Sequence, residues 1–165
     1  MSDAPRSAGA LSASSRKVQD ALQALGFANE VIELGSPVRT AADAARAVGC
    51  EVGQIVKSLV FRAEPSGRGV LVLTSGANRV DEARLAGLMG ERVVKADPVF
   101  VREQTGFAIG GVPPVGHALP LPTLVDEDLT RHREIWAAAG HPRSLFRLTP
   151  DELLRMTGGR VAKVA

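Results

Sequence analysis

The chain has 165 residues, of which 45% are hydrophobic and 23% are charged, and its formal net charge is +2. This length and composition predict one compact domain with an apolar core. They exclude a membrane span, which needs roughly 18 apolar residues in a row, and a secretory signal, because no apolar segment stands near Met1. The lone Cys50 excludes an intramolecular disulfide. We therefore expect a cytoplasmic protein.

Residues 1–12 are rich in Ala, Ser, Gly and Pro and lack apolar periodicity, so we expect a disordered tail there and the folded domain over 13–165. The predicted elements follow from apolar periodicity and from capping and turn residues. In chain order they are a helix from Ser14 or Ser15 to Leu25, a strand over 29–34, a helix from Thr40 to about Gly49, strands over 54–63 and 70–74, a helix over 80–89, a strand over 92–96, a helix from Asp97 to about Thr105, strands over 123–125, 134–138 and 144–148, a helix from Thr149 to about Thr157 and a strand over 160–164.

Three local signals shape the fold prediction. A Pro/Ser/Gly turn over 64–69 joins two strands into a hairpin, so part of the sheet is expected to be antiparallel. The segment 134–138 is ambiguous, because its alanines could equally form a helix. Helices and strands alternate irregularly and without repeats. This pattern predicts a single α/β domain (mixed α+β), with a mixed, largely antiparallel sheet and helices around it.

Lys57 is the most informative residue. Strand alternation places it on the same face as Ile55, Leu59 and Phe61, an apolar face on which burial of an ammonium group is costly. Lys57 therefore either extends its charged end to the strand edge or lines a pocket. In a pocket it could hold an acyl, ribose or phosphate oxygen.

The segment 105–117 contains four glycines and two prolines. Glycine allows a close approach of the backbone, so the loop could present N–H groups to a carbonyl or a developing oxyanion. A plain hairpin connection is the alternative. The spacing of Gly106, Gly110 and Gly111 matches neither a dinucleotide-binding motif nor a Walker-type phosphate motif.

Other nucleophiles and metal ligands have little support in the sequence. His117 and His141 stand beside Gly/Pro turns that could border a cleft, but the three histidines are too dispersed for a metal motif. Ser58 points away from Lys57 on the strand, and no Gly-x-Ser-x-Gly turn surrounds any serine. Cys50 has the apolar context of a buried small residue. We therefore expect no metal, no cofactor and no covalent catalysis.

Charge is unevenly distributed along the chain. Residues 129–165 hold seven Arg and Lys against three acidic residues. This bias suits contact with a phosphate backbone, and it is equally compatible with arginines on a solvated surface.

Three segments, in this order, carry a resemblance to a known family. They are residues 54–61 (QIVKSLVF), residues 75–81 (SGANRVD) and residues 106–116 (GFAIGGVPPVG), the last with a Gly-x-x-Pro-x-Gly pattern at Gly111, Pro114 and Gly116. The final helix and strand, over 149–154 and 158–162, look similar as well. The chain resembles, over roughly residues 18–164, the YbaK/EbsC family of aminoacyl-tRNA deacylases. That family is related to the editing domain inserted in bacterial prolyl-tRNA synthetases.

The resemblance implies a trans-editing hydrolase. Its substrate would be the ester that joins a wrong amino acid to the 3′-terminal adenosine of a transfer RNA, with tRNA(Pro) carrying Ala, Cys or Ser as the expected case. Lys57 would be the catalytic residue and would hold the ribose/phosphate end or the acyl group. The loop from Gly110 to Gly116 would bind the carbonyl and position water, assisted by the neighbouring ribose hydroxyl of the substrate.

By the same resemblance, seven residues are expected to bind substrate: Ser58, Gly110, Gly111, Pro114, Gly116, His117 and His141. Several alanine-specific relatives have Asn where this chain has Ser58. The expected partners are mischarged transfer RNA and prolyl-tRNA synthetase, and the expected state is a monomer or weak homodimer. The alternative is a non-catalytic tRNA-binding or synthetase-associated module of the same fold.

Overall fold

The computed structural model describes residues 11–165, which contain five α-helices, eight β-strands and two short 3₁₀ turns. The helices are α1 (Ala13–Ala24), α2 (Ala41–Val48), α3 (Glu82–Met89), α4 (Pro98–Thr105) and α5 (Pro150–Thr157). The strands are β1 (Val31–Glu33), β2 (Ile55–Glu64), β3 (Gly69–Ser75), β4 (Arg92–Lys95), β5 (Thr123–Asp126), β6 (Ile135–Ala138), β7 (Ser144–Leu148) and β8 (Arg160–Ala162). The 3₁₀ turns are Val52–Gln54 and Glu127–Arg131.

Three predicted helix starts are confirmed. Thr40, Asp97 and Thr149 are the N-caps of α2, α4 and α5, and each side chain accepts a hydrogen bond from the amide three residues further on. Such bonds satisfy amides that the helix itself leaves unpaired. Helix α3 begins two residues later than predicted, because Asp81 caps it and helical geometry starts at Glu82.

The start of α1 differs from the prediction. Ser12 is its N-cap, whereas Ser15 is buried within the helix and its hydroxyl bonds that of Ser144. Leu11 packs against the core, so the folded part begins before residue 13. Residues 1–10 of the predicted tail lie outside the described residues.

The strands form one mixed sheet in the order β1-β7-β6-β2-β3-β5-β8, with β4 paired to β2 outside this path. Across residues 11–165, four of the seven strand pairings are antiparallel and three are parallel. The predicted hairpin of β2 and β3 is confirmed, and the ambiguous segment 134–138 is the strand β6.

The central strand β2 has a gap along one of its edges. One edge of β2 is paired with β3 along most of its length. The opposite edge, which contains the gap, pairs with β6 only at Ile55 and Val56 and with β4 only from Phe61 to Glu64. Residues 57–59 therefore have no strand partner on this edge among the described pairings. The gap leaves room for a cavity beside the middle of β2.

Apolar side chains cover both faces of the sheet. One face carries the largest cluster, to which α1 and α5 contribute Val18, Leu22 and Leu153. The other face carries two smaller clusters, one that includes Phe61 and Leu85 of α3 and one that includes Ile55 and residues of α2. Lys57 shares this second face and lies between these two clusters along β2. Among the described residues, no helix has the length and apolar character needed to cross a membrane.

Candidate active site

A cavity of about 710 Å³ lies at the gap between β4 and β6. Its walls are the middle of β2, the segment 38–44 at the start of α2, the end of β4 and part of the glycine-rich loop. Most of the lining side chains are apolar. Among the described residues, the charged ones in the lining are Arg39, Lys57 and Lys95, and no acidic residue or histidine is among them. The cavity therefore combines an apolar wall with positive charge.

Lys57 lies in this cavity, half-buried, and not at the strand edge in solvent. Its Nζ donates a hydrogen bond to the main-chain oxygen of Asn78 at 2.6 Å. Burial lowers the pKa of Lys57, the negative charge of Asp126 opposes this shift, and the positive charge of Lys95 adds to it. The ammonium group is thus held by a neutral acceptor, which leaves its charge available to a ligand.

A buried carboxylate organises the region behind Lys57. Asp126 ends β5 and is 1% exposed. It accepts hydrogen bonds from the hydroxyl of Thr74 at 2.9 Å, from the amide of Ser75 at 3.0 Å and from the side chain of Asn78 at 2.9 Å. Burial alone would raise the pKa of Asp126, but these hydrogen bonds lower it below its ordinary value. Asp126 therefore stays ionised.

Asn78 connects this carboxylate to Lys57. Its side-chain amide donates to both Asp126 and Asp128, which fixes the residue, and its main-chain oxygen accepts from Lys57. Asn78 belongs to the segment 75–81 that carried part of the family resemblance, but no role was predicted for it. The sequence gives no indication of Asp126, because its place opposite Thr74 depends on the pairing of β3 with β5.

The glycine-rich loop meets the cavity at one end. It connects α4 to β5, so it is not a hairpin connection. Gly110, at a left-handed φ of +96°, lines the cavity. The carbonyl of Gly111 accepts a hydrogen bond from the amide of Gly140 at 2.8 Å. A Cβ at Gly111 would lie 2.8 Å from the main-chain nitrogen of His141, so this close approach requires glycine.

Ser58 also lines the cavity. Its Oγ is buried and has no hydrogen-bond partner within the part of the chain that the structure describes. A buried hydroxyl without a partner is costly in free energy.

The remaining predicted site residues do not line the cavity. Pro114 is buried, and Gly116 approaches the side chain of Ala21. The Nε2 of His117 lies 2.6 Å from the carbonyl oxygen of Pro113, and burial lowers the pKa of this histidine, with the hydrogen bond opposing that shift. The Nδ1 of His141 accepts from the amide of Arg143. The structure thus brings together Lys57, Ser58 and Gly110, and places the other residues in or beside the loop.

Cys50 lies apart from the cavity lining, and burial raises the pKa of its thiol, with the charge of Glu51 adding to the shift. Fewer thiolates form as a result, which weakens it as a nucleophile. Among residues 11–165, no three His, Cys, Asp or Glu side chains come together in a way that could hold a metal ion.

The fold and the cavity together define a small α/β domain with a positively charged, largely apolar cavity beside its central strand. A model of the family described as "Aminoacyl-tRNA editing domain" matches residues 35–156. The chain belongs to this editing-domain family, as a member of the YbaK/EbsC type, and is an aminoacyl-tRNA hydrolase. The resemblance drawn from the three sequence segments is therefore confirmed.

Individual relatives agree with this assignment. The chain is 32% identical over 133 residues to the uncharacterised protein YwhH of Bacillus subtilis, and the alignment covers 81% of this chain and 84% of that protein. It is 28% identical over 128 residues to EbsC of Enterococcus faecalis, provisionally named a Cys-tRNA(Pro)/Cys-tRNA(Cys) deacylase, with 76% of each chain covered. A crystal structure provisionally described as a trans-editing enzyme for prolyl-tRNA synthetase superimposes with a TM-score of 0.90 at 56% identity, over 94% of this chain and 98% of that one.

Proposed function

We propose that this protein is a trans-editing deacylase that removes Ala, Cys or Ser from mischarged tRNA(Pro) in the cytoplasm, alongside prolyl-tRNA synthetase. The names of EbsC and of the similar crystal structure support a proline-linked substrate. The observation that carries the proposal is the ammonium group of Lys57, held in a largely apolar cavity whose lining also includes Gly110. This arrangement suits an ester carbonyl that gains negative charge during hydrolysis.

In the proposed reaction, water attacks the ester carbonyl, and the bond between the acyl carbon and the ribose oxygen then breaks. Lys57 holds the acyl group or the ribose/phosphate end, and a main-chain amide of the loop at Gly110 stabilises the oxyanion. No histidine or carboxylate in the described lining could act as general base. The neighbouring ribose hydroxyl of the substrate is therefore proposed to assist the attacking water.

We assign direct substrate contact to Lys57, Ser58 and Gly110, because these three line the cavity. The apolar walls of the cavity suit a small side chain, and the unpaired hydroxyl of Ser58 could distinguish among Ala, Cys and Ser. The other predicted residues are proposed to act through the shape of the loop. They are Gly111, Pro114, Gly116, His117 and His141.

The test is hydrolysis of tRNA(Pro) charged in turn with Ala, Cys, Ser and Pro. We expect selective release of one non-cognate amino acid. Loss of a group that positions the reacting ester typically costs about 100-fold in rate, so Lys57→Ala should lose at least this factor.

Lys163→Ala is the matched control, because this lysine carries the same charge but lies outside the cavity lining. It should hydrolyse the substrate as the wild type does. Thermal unfolding of both variants separates loss of function from loss of fold. Binding of tRNA(Pro) without release of any amino acid would favour the non-catalytic module instead.

A further inference from the structure

Two cations besides Lys57 line the cavity. Arg39 immediately precedes the N-cap of α2, and Lys95 is the last residue of β4. They contribute to the lining from separate elements, and Lys57 on β2 belongs to the same lining. Both are exposed, so they lie where the cavity meets solvent.

The charge of these residues is not balanced within the cavity. Arg39 and Lys95 take part in none of the ion pairs among the described residues, in contrast to Arg46, which pairs with Asp43 on the surface of α2. Lys95 is close enough to Lys57 for its charge to act on that lysine. An anion in the cavity would relieve this repulsion.

The chemistry of an aminoacyl ester identifies the anion. The amino acid brings an α-amino group, which is neutral or positive near pH 7 to 8 and so cannot satisfy three cations. The ribose is neutral. The nearest negative charge on the substrate is the phosphodiester on the 5′ side of the terminal adenosine, and arginine and lysine are the side chains that hold phosphate.

We propose that Arg39 and Lys95 form a subsite for the phosphate of the terminal adenosine, which leaves Lys57 to act at the ester. This inference rests on the proposed function, since it presumes an aminoacylated 3′ end as the ligand. The start of α2 supports it, because Thr40, Ala41 and Ala42 also line the cavity and the first turn of a helix attracts anions.

The test compares two non-hydrolysable probes by calorimetry: 3′-alanylamido-3′-deoxyadenosine with and without a 5′-phosphate. The wild type should bind the phosphorylated probe about tenfold more tightly or better, as expected for hydrogen bonds to a charged group. Arg39→Gln and Lys95→Gln should each lose most of that preference. Arg46→Gln removes one positive charge from the same helix outside the cavity and should keep it.

Wild-type protein that binds the phosphorylated probe no more tightly than the other, or binds neither, would overturn the subsite. So would an equal loss of preference in Arg46→Gln. Neither result bears on hydrolysis of the charged tRNA(Pro) panel, which tests the proposed function separately. In that assay, Arg39→Gln and Lys95→Gln should raise KM and leave kcat nearly unchanged, because the phosphate is bound equally in the ground and transition states.

Discussion

At the scale of single residues, the site depends on how the charge of Lys57 is held. A direct ion pair with Asp126 would neutralise it, but the hydrogen bond of Lys57 goes to the main-chain oxygen of Asn78. The carboxylate of Asp126 influences Lys57 in two indirect ways. Its negative charge raises the pKa of Lys57, and its hydrogen bond with the side chain of Asn78 fixes the residue whose main-chain oxygen binds Lys57. The lysine is thereby oriented and still able to attract a ligand oxygen.

His117 gives a prediction about stability and pH. Burial lowers its pKa in the folded protein below the ordinary 6.5, so the folded state favours the neutral ring. The unfolded chain takes up a proton near pH 6.5, and the folded chain does so only at lower pH. The contribution of His117 to stability is therefore complete above pH 6.5 and is lost as pH falls from 6.5 to the folded pKa.

The measurement is urea unfolding at pH 7.5 and at pH 5, for the wild type and for His117→Gln. The glutamine cannot titrate and keeps an N–H for the carbonyl of Pro113, so the stability difference between the two pH values should shrink. His132→Gln, at a histidine outside the loop, should behave as the wild type does. An unchanged difference in His117→Gln would show that other groups cause the acid sensitivity.

At the scale of helices and strands, much of the fold follows from local sequence. Thr40, Asp97 and Thr149 cap helices where predicted, since capping depends on neighbours three residues apart. The gap beside β2 could not be predicted in this way. It arises because β4 and β6, which are about forty residues apart in the chain, share one edge of the same strand.

The same distinction applies to the candidate site. Alternation along one strand placed Lys57 on an apolar face, and the glycines marked the loop that reaches the cavity at Gly110. Arg39, Lys95 and Asp126 come from other elements, and only the register of the sheet and the packing of α2 bring them near Lys57. The charge and spacing of these residues in the sequence therefore do not predict that they lie near Lys57.

The contact between the glycine-rich loop and the segment after β6 leaves no room for a side chain at Gly111. Gly111→Ala would place a Cβ 2.9 Å from the carbonyl carbon of Gly140 and closer still to the next nitrogen, and backbone atoms cannot yield as side chains do. Overpacking of this kind typically costs about 1–3 kcal/mol. We expect that loss of stability by urea unfolding, together with slower hydrolysis because Gly110 is displaced from the cavity.

Gly87→Ala is the control for this substitution. Gly87 lies within α3, and a Cβ there would meet nothing within 4 Å. Alanine in a helix interior should leave the protein unchanged or more stable by about 1 kcal/mol or less. If Gly111→Ala behaved in the same way, the loop would have to be held by contacts other than this one.

At the scale of the whole molecule, the basic bias of residues 129–165 is partly used within the protein. Arg131, Arg147 and Arg155 form surface ion pairs with nearby acids. Arg133 takes part in none of the described pairs. Its charge is available to the phosphate backbone of a transfer RNA, although the net charge of the chain is only +2.

The exposed Arg133 directly precedes Glu134 and β6, the strand that pairs with β2 beside the cavity. We expect the body of a transfer RNA whose 3′ end enters the cavity to reach this arginine. Each cation that neutralises a phosphate releases counterions, so kcat/KM on whole tRNA should fall as salt rises. The measurement is the slope of log kcat/KM against log salt concentration. Arg133→Gln should reduce the magnitude of this slope by about one. Arg155→Gln is the control and should leave the slope unchanged, because Arg155 is already paired with Asp151. A slope unchanged by Arg133→Gln would show that this part of the basic surface has no part in binding the transfer RNA.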